Sequence, residues 1–419
     1  MTEKSAISEQ ALADPNSDPK YVPYPKSQRQ GIGLCLSGGG YRATLFHMGT
    51  LRRLNEFGIL TRADFRSVSS VSGGSITAAA LAAALTMITR PAGGPIPKAQ
   101  WDRKFQDKLR EFTKKDIRTG AIATRFLPWN WFRDSAGVEA LAKTYETRLT
   151  SLKLDAMPAT PNFVLCATDM AYGVNWVFER GRMGDYQAGY KEPLAPTYPL
   201  GRAIAASSCF PPVFNPLPAG IDPTELVGGK ALPGPERDAC IRGLRLTDGG
   251  DYDNMGLEPV WKSHEYVLVS DAGGLFTNEG DKGLLWRIPR YQGIQERQSR
   301  ALRKRWLISN FILGEIKGTY WAVGGGVASY GFSNGYSEDL AKDVIAEIRT
   351  DLDAFSDAEA AVLENHGYLM ADAAIRKHAD SLIQQPLPPV QIPHPDWMDE
   401  RRVREALKDS GKRRVLGRH

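Results

Sequence analysis

The segment Val68–Ser75, with the sequence V-S-S-V-S-G-G-S, restricts the fold of this chain more than any other stretch. A short run with β-branched residues ends at a serine followed by two glycines, and the apolar helical pattern Ile76–Ile88 begins directly afterwards. A strand that turns sharply into a helix lifts the side chain at the bend out of the sheet, and the N–H groups that open the helix point towards it. Ser72 is therefore a candidate nucleophile, although serine and glycine are also ordinary residues of a structural turn.

The same order of strand, turn and helix occurs earlier in the chain. Gly31–Leu36 is an apolar run of strand length that ends at the S-G-G-G loop 37–40, and the helical spacing of Tyr41–Phe57 follows. Phe65–Ile88 then repeats this order around Ser72. Two successive units of this kind predict parallel strands in an α/β fold.

Further elements follow from apolar runs and turn residues. The S-D-A-E sequence at Ser356–Glu359 is a capping box, which starts a helix that we expect to end at Gly367. The other predicted helices are Trp101–Lys115, Leu200–Ser208, Gln295–Ile312 and Tyr368–Ile383, and the other predicted strands are Asn162–Thr168, Val174–Phe178, Leu244–Thr247 and Tyr266–Ser270.

The composition is that of a globular protein with a sizeable core, since 42% of the 419 residues are hydrophobic and 24% are charged. The net charge of +5 is modest for this length and indicates no nucleic-acid partner. The four cysteines have no C-x-x-C spacing, which predicts reduced thiols, no zinc site and a cytosolic location. Met1–Gln30 lacks the apolar core of a secretory signal, and no apolar run is long enough to predict a membrane span.

Two segments each have two interpretations. Phe126–Phe132 (F-L-P-W-N-W-F) is an aromatic loop, which predicts a satellite core because large aromatic side chains are usually buried. The alternative is an apolar flap at an acyl-chain entrance or a membrane surface. The basic helix Gln295–Ile312 is expected to be a surface helix with one buried face, and its alternative role is binding to an anionic membrane.

The triple glycine at 38–40 has three explanations. It is a tight turn, a phosphate cradle, or an oxyanion hole in which backbone N–H groups face the charge that develops on an acyl oxygen. Neither G-x-x-x-x-G-K-[ST] nor G-x-G-x-x-G is present, so nucleotide binding is poorly supported. Arg42, just inside the following helix, either binds a substrate phosphate or braces the loop.

A nucleophilic serine needs a base near neutral pH, and no histidine directly follows a predicted strand. Asp248 directly follows a predicted strand, in the sequence L-T-D-G-G. The two glycines after it let the backbone approach neighbouring segments closely. An aspartate hydrogen-bonded to Ser72 could accept its proton as one half of a Ser–Asp dyad, and an Asx turn is the structural alternative. The D-Y-D-N-M-G sequence at 251–256 lacks the spacing and the terminal Glu of a calcium loop.

The candidate residues share one property of position. The loop 37–40, Ser72, the loop 207–212 and Asp248 each follow a predicted strand or helix. Ligands of an open parallel sheet bind at the carboxyl ends of its strands. We therefore expect these four features to meet at one edge of the sheet.

Three motifs in this order resemble those of the patatin-like and cytosolic phospholipase A2 superfamily. They are S-G-G-G-Y-R-A at 37–43, S-V-S-G-G-S at 70–75 and D-G-G at 248–250, within a resemblance that extends over residues 31–385. The stretch A-S-S-C-F-P-P at 206–212 is similar to the segment that lies beside the active site in that family. The resemblance implies a three-layer α/β/α fold with a mostly parallel central sheet.

The resemblance also implies a reaction and its residues. It implies a lipid acyl hydrolase that needs no metal and no cofactor, with Ser72 as the nucleophile and Asp248 as the base. By position in the motifs, Gly38, Gly39 and Gly40 match the oxyanion loop, and Arg42 matches the arginine after it, a candidate for substrate binding.

The chain departs from the family pattern at three positions. Ser70 stands where G-x-S-x-G has Gly, Ser37 where patatins often have Asp, and Ala43 where they have Gly. These variants are more similar to the cytosolic phospholipases of the superfamily. No calcium-binding lipid-targeting domain is expected before residue 31, so calcium-driven recruitment is not implied.

The expected organisation is a flexible extension over residues 1–30, a catalytic domain over 31–385 and a Pro-rich, basic tail over 386–419. A helical and aromatic insertion at 90–160 is a candidate lid. We expect a cytoplasmic enzyme that cleaves carboxylic esters of glycerophospholipids or lysophospholipids at a membrane surface, through an acyl-serine intermediate. The alternatives are a soluble-ester hydrolase or acyltransferase, and a non-enzymatic signalling module on a hydrolase scaffold.

Overall fold

The structure of the chain, a computed structural model, describes residues 23–91, 93–130, 132–193, 198–211, 213–274 and 280–412. The strands are β1 (Ile32–Leu36), β2 (Phe65–Val71), β3 (Asn162–Asp169), β4 (Val174–Phe178), β5 (Met183–Asp185), β6 (Gly189–Lys191), β7 (Leu217–Pro218), β8 (Arg245–Asp248), β9 (Tyr266–Asp271) and β10 (Lys317–Ala322).

Helices of very different lengths connect these strands. They are α1 (Gly40–Glu56), α2 (Gly73–Leu85), α3 (Lys98–Trp101), α4 (Asp107–Thr113), α5 (Arg118–Arg125), α6 (Ala136–Arg148), α7 (Leu200–Ser208), α8 (Pro235–Arg242), α9 (Gly250–Asp253), α10 (Leu284–Ile312), α11 (Glu338–Leu340), α12 (Asp357–His378) and α13 (Glu400–Leu407). A π-helical turn (Asp102–Gln106) joins α3 to α4, so the predicted helix at 101–115 is present in three pieces.

One sheet in the described part of the chain has the order β10-β9-β1-β2-β3-β4-β5-β6. The strands from β10 to β3 are parallel, and β4, β5 and β6 continue the sheet antiparallel. Leu34 and Leu36 of β1 join the large core cluster with α1, α2 and α12, whereas Cys35 joins a second cluster with Leu307 of α10. Helices therefore cover both faces of these strands, as a buried parallel sheet requires, and the predicted α/β fold is confirmed.

Strand β8 enters the sheet against the direction of its neighbour. Two strands pair with the same edge of β3, one after the other. The first part of β3 pairs with β2, which ends with Val71 beside Cys166. The next part of β3 pairs with β8, which ends with Asp248 beside Ala167. The sequence predicted the strand but not its direction, and β8 is antiparallel to β3. Asp248 still reaches the end of β2, because β2 and β8 terminate at the same point along β3.

Helix α12 is one continuous helix where two were predicted. Its predicted capping box is present, with the Ser356 hydroxyl accepting the N–H of Glu359, but the helix continues through Gly367 to His378. A Cβ at Gly367 would collide with the carbonyl oxygen of Phe46 in α1. Gly367 therefore allows the two helices to pack closely and does not end α12.

The segment 126–132 differs most from its expected environment. Phe126 is 70% exposed, Trp129 is 74% exposed and Phe132 is fully exposed, so the prediction of a satellite core is wrong for these side chains. Arg125, at the end of α5, donates to the Asn215 side chain at 3.2 Å, and Asn215 donates to the carbonyl of Asp134 at 2.8 Å. The loop is thus anchored at both ends while Phe126, Trp129 and Phe132 face outwards. Trp131, the remaining aromatic residue of the segment, lies outside the described residues.

Some elements were missed or extended relative to the sequence predictions. β5, β6 and β10 were not predicted, and α10 begins at Leu284 instead of Gln295. In the segment expected to be a tail, α13 buries Val403 and Leu407.

The four cysteines are free, as predicted. Within the described ranges, no helix combines the length and the apolar character needed to cross a membrane.

Candidate active site

Ser72 lies at a sharp bend between β2 and α2, as the sequence predicted. Its φ of 50° makes it the one residue other than glycine with positive φ in the described part of the chain. A side chain at Gly73 would collide with the carbonyl oxygen of Gly40, so only a glycine lets the bend pack against the glycine loop. The other serines of the segment, Ser70 and Ser75 among them, are completely buried, whereas Ser72 lines a cavity.

A second serine, Ser207 of α7, holds this bend in place. Its hydroxyl oxygen accepts the backbone N–H of Ser72 at 2.9 Å and lies 2.9 Å from the hydroxyl of Ser75. The same hydroxyl donates to the carbonyl of Cys166 in β3 at 2.6 Å. Ser207 lies in the A-S-S-C-F-P-P stretch at 206–212. The similarity of this stretch to a known motif indicated that it lies near the site, but it did not indicate the role of the Ser207 side chain. Pro212 of the stretch lies outside the described residues.

The glycine loop and the start of α1 form the neighbouring wall. Gly39 and Gly40 line the cavity with φ values of 137° and 54°, and they stand at the N-terminus of α1, where helical N–H groups have no partner within the helix. Gly38 differs, because its N–H donates to the carbonyl of Asn254 at 3.0 Å. The structure therefore brings two of the three predicted glycines to the cavity.

Asp248 faces Ser72 from the end of β8. It is almost completely buried, its Oδ1 accepts the N–H of Gly250 at 2.8 Å, and it lines the same cavity as Ser72. Burial raises the pKa of Asp248 to about 8, and the charges of Asp251 and Glu296 add to the rise, while the N–H of Gly250 and the nearby Ser72 hydroxyl lower it. A carboxyl group in this state takes up and releases a proton near neutral pH.

The histidine nearest to the glycine loop is not at the cavity. His47 of α1 is buried, with Nδ1 2.8 Å from the Ser270 hydroxyl and Nε2 2.9 Å from the carbonyl of Ser37. Burial lowers the pKa of His47 to about 4, so the ring is neutral at physiological pH. His47 thus contacts the start of the glycine loop and does not line the cavity, in agreement with the sequence, in which no histidine is well placed as a base.

Arg42 has a buried guanidinium group that is fully engaged by backbone. It donates to the carbonyl oxygens of Ala346, Ile348 (2.9 Å) and Ala272 (3.0 Å). Burial lowers its pKa to about 10. The sequence left two roles open for Arg42, binding the substrate or bracing the loop. Its buried position favours bracing the loop.

The acidic residues that follow Asp248 have local partners. Asp253 accepts the backbone N–H groups of Met255, Leu257 and Glu258 at 3.2, 2.7 and 2.9 Å, the pattern of a turn. Asp251 accepts the Thr247 hydroxyl at 3.0 Å. Among the described residues, no group of three or more His, Cys, Asp or Glu side chains could hold a metal ion.

A cavity of about 690 Å³ opens above Ser72 and Asp248. Phe210, Val213 and Phe214 give it an apolar wall, and α10 supplies another part of the wall. The sequence did not indicate that α10 would face the site. The α10 residues that line the cavity recur at helical spacing and are mostly cationic: Arg290, Gly293, Glu296, Arg297, Arg300, Ala301 and Lys304.

The inward orientation of α10 is explained by its packing. Leu307 is buried in the second core cluster, where Trp306 and Phe311 pack against it. Arg300 donates to Asp271 at 2.8 Å, and Arg303 lies 3.3 Å from Glu258. These contacts support the expected surface helix with one buried face.

Comparisons with known proteins identify one matching family and several similar structures. A sequence model of the family described as Patatin-like phospholipase matches residues 34–261. Comparison with curated proteins gave no match. Among solved structures, the chain is similar to human GIVD cytosolic phospholipase A2 (14% identity, TM-score 0.35, 64% of this chain and 45% of that chain). It is also similar to VipD from Legionella pneumophila (13% identity, TM-score 0.35, 88% of this chain and 73% of that chain). The chain thus spans less than half the length of the human phospholipase.

We predict that Asp248→Asn raises the melting temperature and that the gain grows from about pH 4 to about pH 8. In the unfolded chain the carboxyl group ionises near its ordinary pKa of 3.8, whereas in the folded protein it stays protonated until about pH 8. The folded state binds the extra proton in this window, so the free energy of unfolding falls as the pH rises. Asparagine removes this loss and still accepts the N–H of Gly250.

Thermal unfolding followed by circular dichroism measures this gain. Asp343→Asn, at an exposed carboxylate on the surface, is the matched control and should show no comparable growth with pH. A gain for Asp248→Asn that is equal at about pH 4 and pH 8, or a loss at both, would contradict the raised pKa.

Proposed function

Because the chain belongs to the patatin-like phospholipase family, we propose that it hydrolyses the carboxylic esters of glycerophospholipids or lysophospholipids with Ser72 and Asp248. The observation that carries this proposal is the meeting of β2 and β8 along one edge of β3. It brings a serine at a strained bend to a buried carboxyl group with a pKa of about 8, at the base of a partly apolar cavity.

The proposed reaction has two steps. Ser72 Oγ attacks the ester carbonyl while Asp248 accepts the hydroxyl proton, and the tetrahedral intermediate then releases the alcohol, which takes that proton from Asp248. The acyl-Ser72 intermediate is hydrolysed by a water molecule that gives its proton to Asp248. When the fatty acid leaves, Ser72 recovers the proton and the dyad is restored.

The glycine loop stabilises the oxyanion in both steps. We assign this role to the N–H groups of Gly39 and Gly40, because both residues line the cavity at the N-terminus of α1. Gly38 supports the loop through its hydrogen bond to Asn254, and Arg42 braces the loop through Ala272. The dyad needs no metal or cofactor for this chemistry.

The substrate surface is proposed to be a phospholipid membrane. Exposed aromatic side chains such as Trp129 and Phe132 partition into the membrane interface, where their rings leave water. Their loop is fastened through Asn215 to the segment whose Val213 and Phe214 line the cavity. Insertion of the loop would therefore hold the apolar wall of the cavity close to the lipid.

Ser72→Ala and Asp248→Ala are each expected to reduce fatty-acid release from phospholipid vesicles by at least about 10³-fold, because each removes one partner of the proton transfer. Mass spectrometry of the released lipids measures the effect. Ser69→Ala is the matched control, since Ser69 is fully buried in β2, and it should retain most of the activity. Full activity in Ser72→Ala would disprove the assignment, and an inactive wild-type chain would support a signalling module instead.

The double variant Trp129→Ser, Phe132→Ser is expected to lower vesicle hydrolysis by about tenfold or more, because two large apolar side chains no longer enter the interface. Turnover of a water-soluble short-chain ester should be unchanged. Leu232→Ser, which removes another exposed apolar side chain (85% exposed), is the control. Equal turnover of vesicles by the variant and the wild type would favour the soluble-ester hydrolase.

A further inference from the structure

The phosphate of a phospholipid substrate needs a cationic partner, and Arg42 is not available for it. Three backbone carbonyls already accept hydrogen bonds from its guanidinium group, which is 2% exposed. Breaking these bonds would leave buried carbonyl oxygens without partners, which is costly. The partner must therefore come from another part of the cavity wall.

A second cavity of about 910 Å³ adjoins the catalytic one. The two cavities share the side chains of Arg300, Lys304 and Tyr320, which form their common wall. The second cavity contains no Asp or Glu among its described lining residues, and it offers hydroxyl groups such as those of Tyr330 and Ser381. A phosphate that carries an uncharged headgroup would meet no repelling carboxylate there.

Lys304 differs from the other two side chains of the common wall. Arg300 is held by Asp271 and by the carbonyl of Gly274, both at 2.8 Å, and the Tyr320 hydroxyl donates to Asp271 at 2.6 Å. Lys304 Nζ lies 4.4 Å from the centre of the Tyr320 ring and forms no ion pair with any residue in the described ranges. Asp271 acts on its charge only at longer range, so the ammonium group can receive an anion at the point where the cavities meet.

We propose that Lys304 binds the phosphate of a glycerophospholipid whose ester lies at Ser72 and whose headgroup extends into the second cavity. The inference rests on the proposed function and names the side chain that would recognise the phosphate of its substrates. An ammonium group binds phosphate as a point charge with rotatable donors. Neutral glycerides lack the group that Lys304 would recognise.

The test compares two soluble substrates with equal acyl chains, monomeric dihexanoyl phosphatidylglycerol, whose headgroup beyond the phosphate is uncharged, and dihexanoylglycerol. Lys304→Met keeps the apolar stem and removes the charge. We expect kcat/KM to fall by about 10- to 100-fold for the phospholipid, the range for a lost hydrogen bond to a charged group, and to stay unchanged for the glyceride. Lys304→Arg should restore part of the phospholipid activity.

The controls separate this inference from the proposed function. Lys408→Met, which removes an exposed charge after α13, should leave both substrates unaffected. Ser72→Ala must abolish both activities, and if it does not, the proposed function itself fails. If Ser72→Ala is inactive but Lys304→Met affects both substrates equally or neither, only the role of Lys304 is disproved. A further outcome is that inorganic phosphate stimulates glyceride hydrolysis in the wild type and has no effect on Lys304→Met. That result would show that Lys304 binds free phosphate, and it would also overturn the inference.

Discussion

The pairing of β3 with both β2 and β8 along a single edge is the constraint on which the site depends. Since Val71 lies beside Cys166 and Asp248 beside Ala167, the residue that follows β2 must stand next to the end of β8. Ser207 strengthens this arrangement, because its hydroxyl joins the carbonyl of Cys166 to the N–H of Ser72. The proposed dyad is therefore positioned by backbone pairing and one buried hydroxyl group.

Holding these groups together costs stability. Ser72 has a positive φ, a conformation that costs about 1–3 kcal/mol for residues other than glycine. Asp248 is buried where ionisation is disfavoured, which is why its pKa rises. Both features are common at catalytic sites, where the surrounding fold compensates for local strain and desolvation. The close packing of α1 against α12 at Gly367 is one part of that surrounding fold.

Local sequence patterns predicted the parts of the structure that depend on neighbouring residues in the chain. The bend at Ser72, the glycine loop and the capping box at Ser356 all follow from spacing within a few residues. The direction of β8 and the continuation of α12 through Gly367 depend on contacts between distant segments, so spacing alone could not reveal them.

The environment of side chains was harder to predict for the same reason. Arg42 lies in a motif that suggests substrate binding, but its carbonyl partners come from residues about 230 to 306 positions away. The aromatic composition of 126–132 suggested burial, although Trp129 and Phe132 are exposed. Lys304 belongs to a helix whose inward face is set by the packing of Leu307. No local pattern distinguishes it from the other basic residues of α10.

The pH dependence of covalent labelling tests the Ser72–Asp248 dyad most directly. A fluorophosphonate probe should modify Ser72, identified by peptide mass spectrometry, at a rate that rises with pH around a midpoint near 8, because Asp248 must lose its proton before it can accept that of Ser72. Asp248→Asn should remove the labelling. A probe attached to another serine, or a labelling rate that is the same at about pH 6 and pH 9, would contradict the dyad.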